Sequence, residues 1–350
     1  AVSLPDSVAG AFAPAPGYLN APTMGLPPRA VVEAMHQGLL EWQQGTSSPV
    51  VFDAAVAQAR ADYARLVDVP TANVAVGPSV SVFAGVVAAS LPDGARVVAI
   101  EDDFTSMLFP FLVQEQRDRG VQVQLVALSD LPAAISTGVD LAVFSLAQSA
   151  TGALVDVLGV RQAADRAGAL TFCDVTQAAG WYPVRAADFD LTVCASYKWL
   201  CQPRGAAYLS TSVAVLDRLT PVNAGWYAGE SVWDSVYGPE MRLAGDARRL
   251  DVSPSWLTWV GAAAAGVVFA RTDVTELGAH GIGLAEELRA RLGLSSRPSP
   301  VVVVADPEGA RARSCAEAGA TVASRAGAVR VGFHLWNTPS DVDLIEVALR

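Results

Sequence analysis

The sequence predicts an α/β protein, in which a large domain with a mostly parallel sheet precedes a smaller α+β domain. Between residues 97 and 210, short apolar runs alternate with helical stretches that carry Arg and Glu. Apolar strands joined by helical crossovers are typical of a sheet that helices cover on both faces. With 350 residues, the chain is long enough to form two units that each bury a core.

The predicted elements follow an irregular arm, residues 1–28, that is rich in Pro, Gly and Ala. Apolar residues at helical spacing predict helices over residues 29–44, 53–69, 82–90, 106–119, 160–167, 255–270, 275–292 and 307–318, and from Ser340 onward. Continuous apolar runs predict strands over residues 97–100, 123–128, 141–147, 170–175, 191–197, 206–210, 301–304 and 328–333. We therefore expect a large domain over residues 29–240 and a small domain over residues 241–350.

Composition excludes several classes of function. A net charge of -11 leaves no basic surface for nucleic acid or for an anionic membrane. The apolar run over residues 259–270 is shorter than the roughly 18 residues that cross a bilayer. The N-terminal end has no basic segment of the secretory type, so we expect a cytoplasmic enzyme. The four Cys and three His lack zinc-ligand spacing, and no metal site is predicted.

Lys198 is the one lysine of the chain, beside 23 arginines. An arginine can replace a lysine in an ion pair, but it cannot form an imine or exchange a proton near neutral pH. Lys198 therefore has either a chemical role or a chance position in an arginine-rich composition. Which interpretation holds depends on the residues that the fold places around Lys198.

Polar and aromatic side chains follow the ends of several predicted strands. Asp174 and Gln177 lie at the end of one strand, and Lys198 lies at the end of the next. Phe104 and Ser149 follow two further strands. Ligands of open α/β sheets bind outside the carboxyl ends of the strands. We therefore expect these side chains to share one site.

Residues 73–81 predict a short strand that breaks into a polar turn, Ser79-Val80-Ser81, before a helix. The backbone N–H groups and the dipole of such a helix start bind phosphate, although an ordinary capped turn has the same pattern. A lysine, a neighbouring carboxylate, an aromatic ring and a phosphate-binding turn together suit pyridoxal phosphate.

The same motifs, in their order, resemble the class V aminotransferase family of fold-type I pyridoxal-phosphate enzymes, which also contains cysteine desulfurases and C–S lyases. The resemblance covers nearly the whole chain. Residues 174–180 are similar to the family's D-x-x-Q-x-x-G, and residues 197–205 are similar to K-W-L…P-x-G. Residues 329–338 are similar to R-[VI]-S-x-H-x-Y-N-T.

The resemblance implies a role for each central residue. Lys198 would hold the cofactor as a Schiff base, and Asp174 would pair with its pyridine nitrogen. Gln177 would bond the ring hydroxyl, and Phe104 would stack on the ring. Arg330 would bind the substrate α-carboxylate as a bidentate fork.

The resemblance also implies a phosphate site, a substrate site and a homodimer with shared active sites. The implied phosphate contacts are Ser79, Val80, Ser81, Ser196 and Tyr197. The implied substrate contacts, besides Arg330, are Ser149, Trp226 and Tyr227. The last two belong to an aromatic loop over residues 221–238, which either reaches the partner subunit's active site or only packs.

The reaction itself stays open at this stage. We expect transamination of an amino acid or another primary amine. The alternatives are β- or γ-elimination, including C–S lysis of a sulfur-containing amino acid, and a non-catalytic α/β binding protein. Persulfide chemistry of the desulfurase type is not expected, because Cys315 lies in a predicted helix and residues 319–330 leave no room for a mobile cysteine loop.

Overall fold

A computed structural model describes Leu4, Val8, residues 10–269 and residues 272–350. The helices are α1 (Arg29–Gln44), α2 (Pro49–Leu66), α3 (Val80–Ala89), α4 (Thr105–Glu115), α5 (Leu131–Ala134), α6 (Val157–Ala167), α7 (Val213–Leu216), α8 (Trp256–Phe269), α9 (Val274–Arg291), α10 (Ala310–Glu317) and α11 (Pro339–Leu349). The strands are β1 (Val74–Gly77), β2 (Arg96–Ile100), β3 (Gln122–Val126), β4 (Leu141–Ser145), β5 (Leu170–Asp174), β6 (Leu191–Ala195), β7 (Ala207–Thr211), β8 (Val301–Ala305), β9 (Ala323–Arg325) and β10 (Ala328–Gly332).

Seven strands form the large sheet, in the order β1-β7-β6-β5-β4-β2-β3. The neighbouring strands from β3 to β6 are parallel, and β7 pairs antiparallel with both β6 and β1. Every residue of β1, β4, β6 and β7 is buried, because helices pack on both faces. The predicted mostly parallel α/β sheet is confirmed.

Strands β8, β10 and β9 form a separate antiparallel sheet that packs with α9, α10 and α11 around a second core. Helix α8 instead packs against α1 and α2, and its Trp259 belongs to the core beneath the large sheet. We therefore propose that the large domain extends to Phe269, rather than ending near residue 240.

The N-terminal arm connects the two sheets. Asn20 forms a parallel bridge with Gly332 at the end of β10. A few residues later, the backbone N–H of Gly25 donates to the Tyr197 carbonyl, 2.9 Å away in the large domain. The arm thus lies where the two units meet, beside Lys198.

One predicted strand ends earlier than expected. The apolar run over residues 191–197 forms strand only to Ala195. The Ser196 N–H still bonds the Ala206 carbonyl opposite it, and the chain then turns. Cys201 completes the turn with a φ of 55°. Lys198 therefore sits on a tight turn rather than on the strand.

In the described part of the chain, the helices are too short or too polar to cross a bilayer.

A buried ion pair fixes the start of the large sheet. The Arg60 guanidinium on α2 binds the Asp251 carboxylate at 2.6 and 3.0 Å and also donates to the Val74 carbonyl. Asp251 accepts the Val76 N–H at 2.8 Å. Both backbone groups belong to β1, so this pair holds the strand that leads into the turn at Ser79.

We expect Asp251→Asn to lower the free energy of unfolding by about 3–5 kcal/mol, because Arg60 would keep a buried charge without its counterion. Denaturant titration measures this loss. The matched control is Glu240→Gln, because Glu240 and its ion-pair partner Arg242 are both exposed. We expect this substitution to change the free energy of unfolding by no more than about 0.5 kcal/mol. Equal effects of the two substitutions would contradict the role given to the buried pair.

Candidate active site

The site lies at the carboxyl ends of the parallel strands, as the sequence predicts. One cavity there is lined by most of the predicted residues, namely Ser79, Val80, Phe104, Ser149, Asp174, Gln177, Tyr197 and Lys198. Arg330 adjoins it from the small sheet, through hydrogen bonds to Ser149. The fold thus brings together side chains that are up to 251 positions apart in the sequence.

Lys198 projects a buried amine into this cavity, with 5% of the residue exposed. Its Nζ lies 5.0 Å from the centre of the Phe104 ring and 5.8 Å from the Tyr197 ring. Within the described chain, no carboxylate lies within 4.0 Å of this amine. Burial lowers the pKa of Lys198 to about 8, although the charge of Asp174 acts in the opposite direction. Lys198 therefore becomes a neutral nucleophile much nearer physiological pH than an exposed lysine.

Two glycines make room for the turn that carries Lys198. A Cβ atom on Gly25 would lie 1.9 Å from the Lys198 carbonyl oxygen. A Cβ on Gly180 would lie 2.7 Å from the Trp199 carbonyl oxygen, and Gly180 also has a φ of 108°. Only glycine permits both approaches.

Asp174 is buried at the end of β5, next to the turn of Lys198. Its Oδ1 accepts the Thr176 N–H at 2.8 Å, and the Thr176 hydroxyl also bonds the carboxylate. The same hydroxyl accepts the Ala195 N–H at 2.9 Å, which ties the carboxylate to β6. Burial raises the pKa of Asp174 to about 6, against the effect of these hydrogen bonds and of the Lys198 charge.

The turn at Ser79 presents an open helix start. Ser79 precedes α3 in an extended conformation, and its side chain makes no capping hydrogen bond to the helix. Its Oγ lies 3.2 Å from the Ser81 Oγ. The first N–H groups of α3 are therefore available to an anion, together with the Ser79 hydroxyl.

A polar chain links the small sheet to Gln177. The Arg330 guanidinium donates to the Ser149 carbonyl and, at 2.8 Å, to the Thr23 hydroxyl. The Ser149 Oγ accepts from Gln177 Nε2 at 3.0 Å. Gln177 Nε2 also donates to the Pro22 carbonyl at 2.9 Å.

Arg330 is a buried cation, with 1% of the residue exposed and no acidic partner in the described chain. Its Nε has no hydrogen-bond partner among the described residues. Burial, and then the charge of Arg325, lower the pKa of Arg330 to about 10, so the guanidinium stays charged at neutral pH. A buried, unpaired guanidinium of this kind is stabilised by a carboxylate ligand.

Besides Arg330, which adjoins the cavity, four of the predicted residues do not line it. Ser196 is fully buried and donates its hydroxyl to the Ala206 carbonyl. Ser81 is exposed beside Ser79, outside the cavity lining. Trp226 and Tyr227 lie in a loop that is fastened to α2, where the Tyr227 hydroxyl donates to Asp53 at 3.0 Å.

The structure adds residues that the sequence did not single out. Thr176 and Arg204 line the cavity, and both lie inside the motif segments, which could have indicated them. Thr23 and Pro22 contact Arg330 and Gln177 from the arm. No periodic pattern or motif in the arm could have indicated this contact.

The donor set fits pyridoxal phosphate. The open start of α3 at Ser79 suits a phosphate group, and the Asp174 carboxylate suits a pyridinium nitrogen. The amine of Lys198 faces the same cavity and suits an aldehyde. The partnerless Nε of Arg330 leaves a place for a substrate carboxylate nearby.

Known proteins are similar to this chain in sequence or in fold. The curated relative YcbU of Bacillus subtilis (strain 168), described as an uncharacterized aminotransferase, is 25% identical over 302 residues, which cover 81% of this chain and 80% of YcbU. The structure of Escherichia coli cysteine desulfurase CsdA superposes with a TM-score of 0.84 at 20% identity, and the match covers 99% of this chain and 98% of CsdA.

The cystine C–S lyase C-DES, solved with its product cysteine persulfide, gives a TM-score of 0.86 at 17% identity over 95% of this chain and 97% of C-DES. A C-DES variant with glycine covalently linked to its PLP cofactor gives 0.87 at 17% identity, over 99% of both chains. These structural likenesses establish the fold.

The family is established by the sequence. The profile of the family described as Aminotransferase class-V matches residues 18–316, which include the end of the arm, the Asp174 motif and the turn of Lys198. The chain therefore belongs to the class V aminotransferase family and is a pyridoxal-phosphate-dependent enzyme.

Proposed function

We propose that the enzyme is an aminotransferase that acts on an amino acid or another primary amine. The observation that carries this proposal is the buried, unpaired amine of Lys198, which faces the same cavity as Asp174. None of the three histidines, all within the described chain, lines this cavity. Phe104, beside the amine, cannot exchange protons. We therefore assign the proton transfers at the α-carbon to Lys198, although Tyr197 is a second proton-bearing side chain beside the amine.

The residues have distinct parts in this mechanism. Bound pyridoxal phosphate supplies an aldehyde for the substrate amine and a ring that withdraws electrons from the α-carbon. The start of α3 at Ser79 and Val80 holds the phosphate, and Asp174 holds the pyridine nitrogen. Arg330 orients the substrate through its carboxylate. Lys198 Nζ would remove the α-proton of the substrate and deliver it two atoms away, to the carbon that was the aldehyde carbon, which is the net proton movement of a transamination.

Elimination from a sulfur-containing amino acid is the second candidate. It begins with the same proton removal, and it also needs an acid near the leaving group. Tyr197 supports this candidate, because it is half-buried, lines the cavity and lies 5.8 Å from Lys198 Nζ by ring centre. C-DES, a protein of the same fold, is a C–S lyase.

Sulfur transfer through a cysteine persulfide is not supported. Cys315 is buried in α10, and burial raises the pKa of its thiol to about 11. The segment that follows forms the β9–β10 hairpin rather than a long loop. A thiol in this position is neither exposed nor readily ionised, as a nucleophile must be.

We also propose a homodimer with shared active sites. Within one chain, Trp226 and Tyr227 lie away from the cavity, so any contact with substrate would have to occur in a second subunit. Helix α1 and the start of α2 expose large apolar side chains, including Trp42 with 66% exposed and Val50 with 65%. Large exposed apolar residues are typical of subunit interfaces.

Absorbance and product analysis test the proposed reaction. We expect the protein with pyridoxal phosphate to be yellow, and borohydride to bleach it and label Lys198. Lys198→Ala should form no covalent borohydride adduct under the same conditions. With amino acids, formation of pyridoxamine phosphate and a keto acid supports transamination, whereas pyruvate with ammonia or a thiol supports elimination. A protein that binds no pyridoxal phosphate contradicts both candidates.

We expect the reactivity of Lys198 to follow its lowered pKa. In the chain freed of cofactor, labelling by fluorodinitrobenzene should rise with a midpoint near pH 8, because only the neutral amine reacts. Asp174→Asn should move the midpoint to lower pH, since the charge of Asp174 favours the protonated amine. Peptide mass spectrometry measures the label, with N-acetyl-lysine as the reference at its ordinary pKa of about 10.4. A midpoint near 10, or one unchanged by Asp174→Asn, would contradict this environment.

We expect Arg330→Gln to lower kcat/KM for amino acids roughly 10- to 100-fold, as the loss of a charged hydrogen bond to the carboxylate predicts. Amines without a carboxylate should be unaffected, and so should the visible spectrum. Arg313→Gln on α10, an exposed arginine, is the matched control. Unchanged amino-acid kinetics in Arg330→Gln would remove Arg330 from the substrate site.

A further inference from the structure

Gln177 is held by its neighbours in one orientation. Its Oε1 accepts the indole N–H of Trp199 at 2.8 Å. Its Nε2 donates to the Pro22 carbonyl at 2.9 Å and to the Ser149 hydroxyl at 3.0 Å. An indole nitrogen can only donate and a carbonyl oxygen can only accept, so the partners determine which end of the amide is which.

Trp199 is itself immobilised. It is 1% exposed, and its ring packs 6.0 Å from Trp181 and 5.1 Å from His334, measured between ring centres. His334 Nδ1 accepts the Leu335 N–H at 2.7 Å, which leaves the ring proton on Nε2. That proton is donated to the Trp199 carbonyl at 2.9 Å.

His334 stays neutral in this arrangement. Burial lowers the pKa of His334 to about 4, so the imidazole carries one proton over the physiological range. Trp199 is therefore fixed through its carbonyl by His334, through its ring by packing, and through its indole N–H by Gln177.

The orientation of the Gln177 amide determines which hydrogen-bonding groups face the cavity. Because Trp199 occupies the amide oxygen, Gln177 turns its NH₂ group toward Ser149 and the cavity that both residues line. Gln177 thus presents no acceptor to a ligand. One of its two N–H groups is donated to the Pro22 carbonyl and the other to the Ser149 hydroxyl in the cavity wall, where a ligand oxygen can replace Ser149 as the acceptor. A ligand oxygen at this place is favoured in its deprotonated, accepting form.

We propose that Trp199 is a positioning residue, which fixes the Gln177 amide so that it donates to the bound cofactor's ring oxygen. This inference rests on the proposed function, because it requires pyridoxal phosphate in the cavity with its ring near Gln177. Trp199 does not line the cavity, and it acts only through Gln177.

The measurable effect is on the pH at which the visible absorbance of the bound cofactor changes. A donor that hydrogen-bonds to the ring oxygen makes this oxygen a weaker acceptor for the proton beside it. The pKa at which that proton is lost is therefore lowered. Loss of the donor therefore raises the midpoint of the absorbance titration. We expect Trp199→Phe, which keeps an aromatic ring but removes the N–H, to raise this midpoint by about one pH unit.

A double-mutant cycle separates positioning from general packing. Gln177→Ala should raise the midpoint by at least as much as Trp199→Phe, and the double variant should match Gln177→Ala alone. Trp259→Phe is the matched control, because Trp259 is equally buried but does not contact Gln177. We expect it to titrate like the unchanged protein.

A Trp199→Phe protein that titrates like the unchanged protein would overturn the proposal, and so would shifts that add fully in the double variant. In either case the unchanged protein would still be yellow and would still form its keto-acid product, so the proposed function would stand. Failure of the unchanged protein to bind pyridoxal phosphate would instead remove the proposed function and this inference together.

A second measurement needs no tryptophan substitution, in case Trp199→Phe does not fold. Gln177→Ala removes the oxygen that accepts the indole N–H of Trp199. In ¹⁵N–¹H spectra of the protein with pyridoxal phosphate, we expect one of the eight indole signals to move markedly upfield. If no indole signal moves, Trp199 does not bond residue 177 in solution and the proposal fails.

Discussion

The close approach of three backbone segments around Lys198 is the constraint on which the rest of the site depends. Gly25 and Gly180 meet the carbonyl groups of Lys198 and Trp199 at distances that no side chain would allow. These contacts bring the arm, the segment after Asp174 and the lysine turn into one layer. The position of the amine follows from backbone packing, which is less adjustable than side-chain packing.

Within this layer, the cavity concentrates positive charge in an acidic protein. Lys198 and Arg330 are both buried, and neither has an ion-pair partner in the described chain. Burial lowers the pKa of each, and their mutual repulsion adds to this effect at Lys198. Two buried cations without ion-pair partners are costly in a folded protein, although the charge of Asp174 reduces this cost at Lys198. Their cost is offset when an anionic cofactor and a carboxylate substrate bind, as we propose.

The two sheets meet through polar contacts rather than through apolar packing alone. Arg330 on β10 reaches Ser149 beyond β4, and His334 reaches the Trp199 carbonyl in the lysine turn. Ser149 and Trp199 both bond Gln177. A displacement of the small sheet would therefore move the hydrogen-bond partners at both ends of the Gln177 amide. This couples Arg330, the proposed substrate contact, to Gln177, the proposed cofactor contact.

The sequence by itself determined the fold class, the family and the central chemical groups. The motifs around Asp174 and Lys198 are local in sequence, as is the single lysine. Apolar runs that alternate with helical stretches specify the parallel sheet. It could not determine which predicted side chains reach the cavity, since Ser196 turns away to bond Ala206. Only the tertiary structure brought Thr23 to Arg330, 307 positions later. Such a contact has no periodic signal, because it arises from the path of an irregular arm between two packed sheets.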